Sequence, residues 1–373
     1  MKCYIKRALA ICLILVIAFS FFVLTQNHVD HNTLRIQGFY QEEKNSLDVV
    51  LIGASDVFTG FSPGLAYGEY GFTSYPYAVD SNTINFFKSQ IEEVLKYQKP
   101  KCIIVETTGV RDAYDRSLGD EQLAVMRQYT DVMPLSHNKT DTLNEFVSKG
   151  KLTYYVPALA HCGKAENIEN TIVKYSQKFR GFTYLKGITT SNSKQSYDKI
   201  LDVNDDLDTM ALSDMTYTAL DNLLDYCDSL DCKIVFVRFP HRITDEDGHN
   251  KLKQHNEIGR IITDRGFDFY NFDHAVDEIG LDLENDFYSD SHLNAHGQIK
   301  LTRYLSELLI HRYDIGKSDL SQKNVERWNT SYEYTELFYQ YYDFHENDPE
   351  KSVWYETPGL IKQLDLLRNN QGS

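Results

Sequence analysis

Continuous apolar runs that alternate with helical patterns are the feature that most restricts how this chain can fold. The runs are "VVLI" at 49–52, "KCIIVE" at 101–106, "CKIVFVRFP" at 232–240 and the shorter "FDFYNF" at 267–272. Strands that are apolar on both faces are typical of a parallel sheet covered by helices on both sides. The sequence therefore predicts an α/β protein.

Helical patterns lie between and after these runs. The first helix is predicted at about 81–98, with Pro100 as its stop, and further helices are predicted around 212–229, 250–265 and 295–311. Ligands bind beyond the carboxyl ends of the strands in such sheets. The loops that follow the strands are therefore the expected place for a site.

Composition divides the chain into four parts. An apolar segment at 1–26 and a polar connector at 27–47 precede the predicted α/β domain at 48–311, and an aromatic-rich extension follows at 312–373. Within the domain the alternation breaks down at 113–213, which is predicted to be a helical insertion over one end of the sheet. The extension contains "SYEYTELFYQYYDF", interpreted either as a helix that docks its rings on the domain or as a sugar-binding stripe.

The N-terminal segment predicts a membrane anchor. Basic residues precede the run "ALAICLILVIAFSFFVLT" at 8–25, whose 18 residues reach the lower limit for crossing a bilayer core of about 30 Å. The positive flank should stay in the cytoplasm, which places the rest of the chain outside the cell membrane. A cleaved signal peptide is the alternative, because Ala18 and Ser20 form a small-x-small site, although the apolar run continues past it.

Charge and histidine content limit the partners. The formal charge of −16, from 38 basic and 54 acidic residues, argues against nucleic-acid binding, because phosphate contacts need clustered Lys and Arg. His241, His249 and His255 lie in or near "FPHRITDEDGHNKLKQH". They are interpreted as part of a solvated loop and helix face in preference to a metal site.

The cysteines fit neither a zinc site nor a disulfide framework. Cys102 lies in a predicted strand and is expected to be a buried thiol. A bridge between Cys227 and Cys232 across "CDSLDC" stays open.

Two loops supply residues for nucleophilic chemistry. Ser55 follows the first strand in "LIGASDVFTG", where its hydroxyl and its own N–H can face one pocket. His292, in "DFYSDSHLNAHGQ", can take the serine proton, since a neutral imidazole has a pKa of about 6.5. Asp290 is close enough along the chain to orient the imidazole, with Asp286 as the alternative. A structural interpretation also stays open, in which Asp290 caps the following helix and His292 packs against the sheet.

Together these motifs resemble the SGNH (GDSL-type) hydrolase superfamily. The resemblance runs from about 48 to 310 and includes "VVLIGAS" leading to "FSP", "YQKPKCIIVE" and "DFYSDSHLNAHG", with a Trp-containing tail. More narrowly, the chain resembles the membrane-anchored bacterial branch, relatives of the D-alanyl transfer protein of teichoic acid synthesis and of the alginate O-acetylation proteins. The resemblance implies a flavodoxin-like three-layer sandwich with a parallel sheet, an N-terminal transmembrane helix, a helical insertion and a C-terminal helical tail.

The resemblance also implies roles for individual residues. Ser55 corresponds to the nucleophile, His292 to the base and Asp290 to the acid that orients the base. Many relatives place that acid three residues before the histidine, where this chain has Ser289. The two-residue spacing resembles the alginate-acetylation relatives.

The donors of an oxyanion hole depart from the family pattern. Relatives carry a Gly-x-Asn-Asp block whose Asn helps to bind the oxyanion, whereas this chain reads "GVRD" at 109–112. Arg111 is the candidate donor in that place, or it pairs with Asp112. The Ser55 N–H and Asn82 are the other candidates, and an ordinary first-turn helix position is the alternative for Asn82.

The implied function is a serine-dependent acyl esterase or O-acyltransferase that acts on cell-envelope polysaccharide or teichoic acid outside the membrane. The transferase form implies a membrane-bound O-acyltransferase partner that exports the acyl group. Neither a cofactor nor a metal is expected. The alternative is a non-catalytic, membrane-anchored adaptor or glycan-binding subunit with the same fold, which the Arg111 departure favours and the retained Ser55, Asp290 and His292 oppose.

Overall fold

The computed structural model describes most of the chain, namely residues 2–25, 29–111, 113, 118–161, 168–193, 195–348 and 353–371. Asp112, considered above as a partner of Arg111, lies outside these residues.

A five-stranded parallel sheet forms the centre of the domain. Its strands lie side by side in the order β2 (Ser74–Ala78), β1 (Val49–Gly53), β3 (Cys102–Glu106), β5 (Lys233–Arg238) and β6 (Asp268–Asn271). Numbered along the chain within this sheet, the order is 2-1-3-4-5, which is that of flavodoxin-like sheets. The predicted α/β class is confirmed, and four of the five strands coincide with the predicted apolar runs.

Helices cover both faces of this sheet. One layer contains α2 (His31–Phe39), α5 (Ile84–Tyr97), α10 (Asp214–Asp228) and α11 (Glu246–Asp264). The other contains α3 (Ser55–Gly60), α4 (Pro63–Tyr70), the short α12 (Val276–Ile279) and α13 (Ala295–Tyr313). Alternate residues of β1 face the two layers, with Val50 and Ile52 on one side and Val49 and Leu51 on the other. This is the layering of a three-layer sandwich.

Strand β2 lies in a stretch rich in Gly, Tyr and Pro and was not predicted. It is an edge strand, where proline is tolerated because no strand on the outer side needs its N–H. Pro76 lies opposite Leu51 of β1, and all of β2 is buried. Helix α2 covers this edge, and the Tyr75 hydroxyl donates to the Arg35 carbonyl at 3.0 Å.

Helix α2 replaces much of the polar connector predicted at 27–47. Its Arg35 is buried and donates to the Gly187 carbonyl at 2.7 Å and to the Thr189 hydroxyl at 2.8 Å. The guanidinium also lies 3.3 Å from the ring centroid of Phe58 in α3. A buried charge with these partners ties this part of the segment to the domain.

The insertion and the C-terminal extension are mainly helical, as predicted, and they pair with each other. The insertion holds α6 (Asp120–Thr130), α7 (His137–Phe146), α8 (Leu152–Tyr155), α9 (Ile168–Arg180) and strand β4 (Thr189–Ser191). The extension holds α14 (Gln322–His345), β7 (Val353–Tyr355) and α15 (Pro358–Gln371). Strands β4 and β7 form a two-stranded antiparallel sheet.

The aromatic rings of α14 are largely buried. Trp328, Phe338 and Tyr342 are almost inaccessible to solvent, and α14 packs on α4. Gly64 of α4 allows this approach, because a Cβ there would lie 2.1 Å from the Thr335 hydroxyl. This is the docked arrangement, one of the two interpretations of the aromatic segment.

Helix α1 (Lys2–Thr25) covers the apolar N-terminal run, and its side chains from 4 to 20 are exposed. Among the residues that the structure describes, no helix is long and apolar enough to cross a membrane. The predicted transmembrane anchor is therefore not confirmed.

Three cysteines of the domain are free thiols. Cys102 is buried in β3, as predicted, and burial raises its pKa. Cys227 and Cys232 are also free, so the bridge considered between them is not formed.

Candidate active site

Ser55 and His292 meet at the carboxyl end of β1. Ser55 begins α3 directly after the strand, and β1 lies next to the point where the strand order reverses. His292 lies in the loop before α13, 237 residues further along the chain. Its Nε2 is 2.7 Å from Ser55 Oγ, a hydrogen-bond distance. The fold thus brings together the two residues that the motifs single out.

The turn between β1 and α3 is tightly packed. A Cβ at Gly53 would lie 2.7 Å from both Glu106 Cβ and Val57 Cγ2, so a larger residue would displace the end of the strand. Ser55 stands in the first turn of α3, where N–H groups have no partner within the helix. Its N–H is thus beside its hydroxyl, as an oxyanion donor would need to be.

The loop that carries His292 is fixed at both ends. Asn294 caps α13 and accepts from the N–H groups of His296 at 3.0 Å and Gly297 at 3.1 Å. The Tyr288 N–H donates to the His292 carbonyl at 3.1 Å, and the two rings stack with centroids 5.3 Å apart. The helix cap is therefore Asn294 and not Asp290, and the imidazole is held in one plane.

Two hydroxyl groups lie beside the other imidazole nitrogen. Nδ1 of His292 is 2.9 Å from Ser289 Oγ and 3.2 Å from Ser291 Oγ. Asp290 is exposed, and its carboxylate accepts from the Ser291 hydroxyl at 3.4 Å. The predicted orienting acid is thus separated from the imidazole by a hydroxyl group.

Asp286 serves the loop and not the imidazole. Its buried carboxylate accepts from Lys300 Nζ at 2.7 Å and from the Asp282 N–H at 2.6 Å. Its carbonyl accepts from the Asn294 N–H at 2.9 Å. These contacts anchor the loop to the start of α13, which is a structural role.

A buried ionic network lies behind the nucleophile. Asp56 Oδ1 is 3.1 Å from His241 Nε2, and the Nδ1–H of His241 donates to the Phe239 carbonyl at 2.6 Å. Asp273 accepts from the His241 backbone N–H at 2.7 Å and pairs with Arg238. Burial and the Arg238 charge act to lower the pKa of His241, but Asp273 and Asp56 outweigh them and raise it to about 9. His241 is therefore an imidazolium at neutral pH.

Two of the three histidines expected to be solvated are buried, which corrects that prediction. His241 is 8% exposed and His255 is 1% exposed. His255 accepts from Arg238 at 3.0 Å and donates to the Lys251 carbonyl at 2.8 Å. Burial and the Arg238 charge lower its pKa well below the usual range, so it is neutral. His249, half-buried, contacts Asp206.

No cluster of three or more metal-binding side chains is found among the described residues.

Glu106 and Asp56 are neighbouring buried carboxyl groups with opposite behaviour. Glu106 Oε1 accepts from the Thr108 N–H at 2.9 Å and from its hydroxyl at 2.7 Å. Burial, and then the Asp56 charge, raise the pKa of Glu106 to about 7. Burial also acts to raise the pKa of Asp56, but His241 outweighs it and lowers that pKa. Below a pH of about 7 Glu106 is mostly protonated, and the negative charge of the pair is on Asp56.

The His292 imidazole is neutral at pH 7. Burial lowers its pKa, the Asp56 charge opposes that change, and the His241 charge adds to it. A neutral imidazole that receives the Ser55 hydroxyl hydrogen at Nε2 carries its own hydrogen on Nδ1. His292 therefore has the protonation state of a general base, and with Ser55 as the donor to Nε2 the tautomer fits that role as well.

The side chain of Asn82 is already engaged. Its Nδ2 donates to the Gly53 carbonyl at 2.9 Å and to Gln90 Oε1 at 2.8 Å. Both amide hydrogens are thereby used, and Asn82 ties its loop to the end of β1. In this arrangement it supports the site and does not offer a hydrogen to an oxyanion.

Arg111 follows a 3₁₀ turn at Thr108–Val110. Its carbonyl accepts from the Thr216 hydroxyl of α10 at 3.1 Å, and the residue is half-buried. Gly109 in this turn packs against Asn82, where a Cβ would lie 2.2 Å from the Asn82 carbonyl oxygen. The turn therefore borders the loop of Asn82, and the role of Arg111 as an oxyanion donor stays a prediction.

Sequence reasoning missed Asp56, Glu106 and Asp273. One signal was present, because the "HR" of "FPHR" directly follows the predicted run "CKIVFVRFP", and residues in that position face the site end of the sheet. His241 in that motif contacts Asp56 and Asp273. Glu106 had no such signal, since its contact with Gly53 depends on β1 and β3 being neighbours.

A comparison with known proteins found no protein-family model and no curated protein that matches this chain.

Proposed function

We propose that the protein is a serine-dependent acyl esterase or O-acyltransferase of the SGNH type, with Ser55 as nucleophile and His292 as base. The observation that carries the proposal is the 2.7 Å contact between Ser55 Oγ and His292 Nε2. A neutral histidine at that distance is the arrangement that activates a serine. The flavodoxin-like strand order and the position of Ser55 after β1 agree with it.

The reaction follows from the positions of the two groups. Ser55 Oγ attacks the carbonyl carbon of an ester while its proton passes to His292 Nε2. The carbon–oxygen bond to the leaving alcohol breaks, and that alcohol takes the proton from His292. Water or a sugar hydroxyl then gives a proton to His292 and attacks the acyl-Ser55. The carbon–oxygen bond to Ser55 breaks, and Ser55 Oγ takes the proton back from His292. Water yields hydrolysis, and a sugar hydroxyl yields transfer by the same residues.

The proposed substrates are O-acyl groups on cell-envelope polysaccharide or teichoic acid, outside the membrane. The support is the apolar run at 8–25 behind basic residues, which favours an N-terminal anchor with an external domain. A membrane-bound O-acyltransferase is the proposed partner of the transferase form. The family resemblance is the source of both assignments.

A non-catalytic adaptor or glycan-binding subunit is the second candidate. Two observations favour it, namely the absence of a carboxylate on Nδ1 of His292 among the described contacts and the engaged amide of Asn82. A retained serine–histidine contact without turnover would be the expected property of such a subunit.

Turnover of p-nitrophenyl acetate by the purified protein separates the two candidates. The enzyme is expected to release p-nitrophenol with a burst of one equivalent, because this activated ester acylates Ser55 faster than the acyl-enzyme breaks down. Ser55→Ala should abolish the reaction, whereas Ser193→Ala, at an exposed serine, should leave it unchanged. Equal rates for the wild type and Ser55→Ala would reject the enzyme and favour the adaptor.

A further inference from the structure

The Nδ1 side of His292 is occupied by hydroxyl groups where serine triads have a carboxylate. Ser289 Oγ is the nearer of the two, at 2.9 Å, and Ser291 Oγ is at 3.2 Å. Ser289 stands three residues before the histidine. Asp290, two residues before His292, thus does not contact the ring, whereas Ser289, three residues before it, does.

In the proposed function Ser55 is the nucleophile, and this sets the direction of the hydrogen bonds at both ring nitrogens of His292. Ser55 donates its hydroxyl hydrogen to Nε2, so the hydrogen of the neutral ring is on Nδ1 and points at Ser289 Oγ. The Ser289 oxygen also lies 3.3 Å from the Ser291 N–H. The Ser291 hydroxyl is directed to Asp290, at 3.4 Å. Ser289 is therefore the better placed acceptor for Nδ1–H.

Arg242 fixes the backbone of Ser289. Its Nε donates to the Ser289 carbonyl at 3.1 Å, and its backbone N–H donates to the Asp290 carbonyl at 2.7 Å. The guanidinium lies over the ring of Phe287, 5.5 Å from its centroid. The position of Ser289 is thus set from the loop after β5, and the Asp290 side chain points to solvent.

We propose that Ser289 is the positioning residue of the site, whose hydroxyl holds the Nδ1–H tautomer of His292 and aims Nε2 at Ser55. The placement of the hydrogen on Nδ1 and the kinetic consequence both rest on the proposed function, in which Ser55 donates to Nε2, whereas the contact between Ser289 Oγ and Nδ1 does not. The site then has a neutral third member in place of a carboxylate. A buried negative charge that acts on the ring is on Asp56, which contacts His241.

The test is the tautomer and the titration of His292 in the full-length protein, followed by ¹⁵N NMR of the imidazole. The wild type should show hydrogen on Nδ1 at pH 8. In Ser289→Asp a carboxylate takes the place of the hydroxyl, and the pKa of His292 should rise by about 1 to 3 units. Ser289→Ala should populate the other tautomer. The charged groups around the ring, Asp56, His241, Asp290 and Asp80, are unchanged in these variants.

Ester turnover by the same variants supplies the kinetic arm. Ser289→Ala should lower kcat by roughly 10- to 100-fold with little change in KM, which is less than the full 10²–10⁴ that general-base catalysis contributes, because the base itself is retained. Asp290→Asn should cost less than Ser289→Ala. In Ser289→Asp the midpoint of the acid limb of the pH–turnover profile should shift to higher pH, by the same amount as the pKa of His292 measured by NMR.

The outcomes separate this proposal from the proposed function. A wild-type ring with hydrogen on Nε2, an unchanged pKa in Ser289→Asp, or a greater loss in Asp290→Asn than in Ser289→Ala would overturn the role of Ser289. A wild type without turnover, but with the expected tautomer and the expected pKa rise, would support the positioning role and reject the enzyme. Thermal unfolding of each variant shows whether a loss reflects misfolding, in which case the wild-type tautomer alone decides.

Discussion

Glu106→Gln should make the stability of the domain depend less on pH. Glu106 is fully buried at the end of β3, and burial together with the Asp56 charge raises its pKa from 4.5 to about 7. Its folded pKa is above its unfolded pKa, so the folded state binds the proton more tightly. The contribution of Glu106 to stability is therefore fully present below pH 4.5 and is lost as the pH rises through 7.

The magnitude follows from the pKa rise. About 2.5 pH units at 1.36 kcal/mol per unit give a loss of about 3 kcal/mol between pH 4.5 and pH 8. Glutamine resembles the protonated acid and does not titrate. The Glu106→Gln variant should therefore gain about 3 kcal/mol relative to the wild type over that range.

The assay is urea-induced unfolding followed by circular dichroism between pH 4.5 and pH 8.5. Glu121→Gln, at an exposed glutamate in α6, is the matched control and should show a constant difference from the wild type. If the difference between Glu106→Gln and the wild type stayed the same from pH 4.5 to pH 8.5, Glu106 would be ionised throughout. The account of the buried carboxyl pair would then be wrong.

Four further predictions concern the network, the site and the N-terminus. His241→Gln should destabilise the domain at pH 6 and much less above pH 9. The raised pKa of His241 gives a contribution to stability that is fully present below pH 6.5 and is lost as the pH rises through about 9. Equal effects on the melting temperature at both pH values would contradict this. Arg35→Ala should lower the free energy of unfolding by about 1–3 kcal/mol for each buried acceptor that loses its donor, and a urea titration that shows no loss would mean that Arg35 does not hold α2 on the domain. Ester turnover should fall on the acid side with a pKa below 6.5, as burial lowers the pKa of His292, and a midpoint above 7 would exclude it as the base. The full-length protein should float with lipid vesicles and a chain that begins at 29 should not, whereas a mature N-terminus near Phe21 in cells would indicate a cleaved signal peptide.

The sheet was largely predictable because its strands are apolar on both faces. A continuous apolar run is a local signal, and β1, β3 and β5 carry it, whereas β6 is a shorter, mixed and half-buried run. Strand β2 does not carry it, because its sequence "SYPYA" has a proline and two tyrosines whose burial depends on α2. Helix α2 was missed for a related reason, since Arg35 is buried through partners that lie more than 150 residues away.

The site was predictable in part, because order along the chain constrains topology but not side-chain contact. Residues after β1 and before α13 must reach the same end of the sheet, which pairs Ser55 with His292. Which neighbour faces Nδ1 depends on the turn of one loop, and Ser289 and Asp290 differ there by one position. The Asp56 and Glu106 pair depends on which strands are adjacent, and no local pattern reports that.

Labelling with a fluorophosphonate tests whether Ser55 is a nucleophile, because only an activated serine displaces fluoride from the probe. The full-length protein is treated with the probe, digested and examined by mass spectrometry. We expect one adduct in the wild type, on the peptide that contains Ser55. Ser55→Ala should carry no adduct, and His292→Ala should be labelled much more slowly. A folded wild-type protein that stays unlabelled, or that carries the adduct on another residue, would contradict the assignment of Ser55 as the nucleophile.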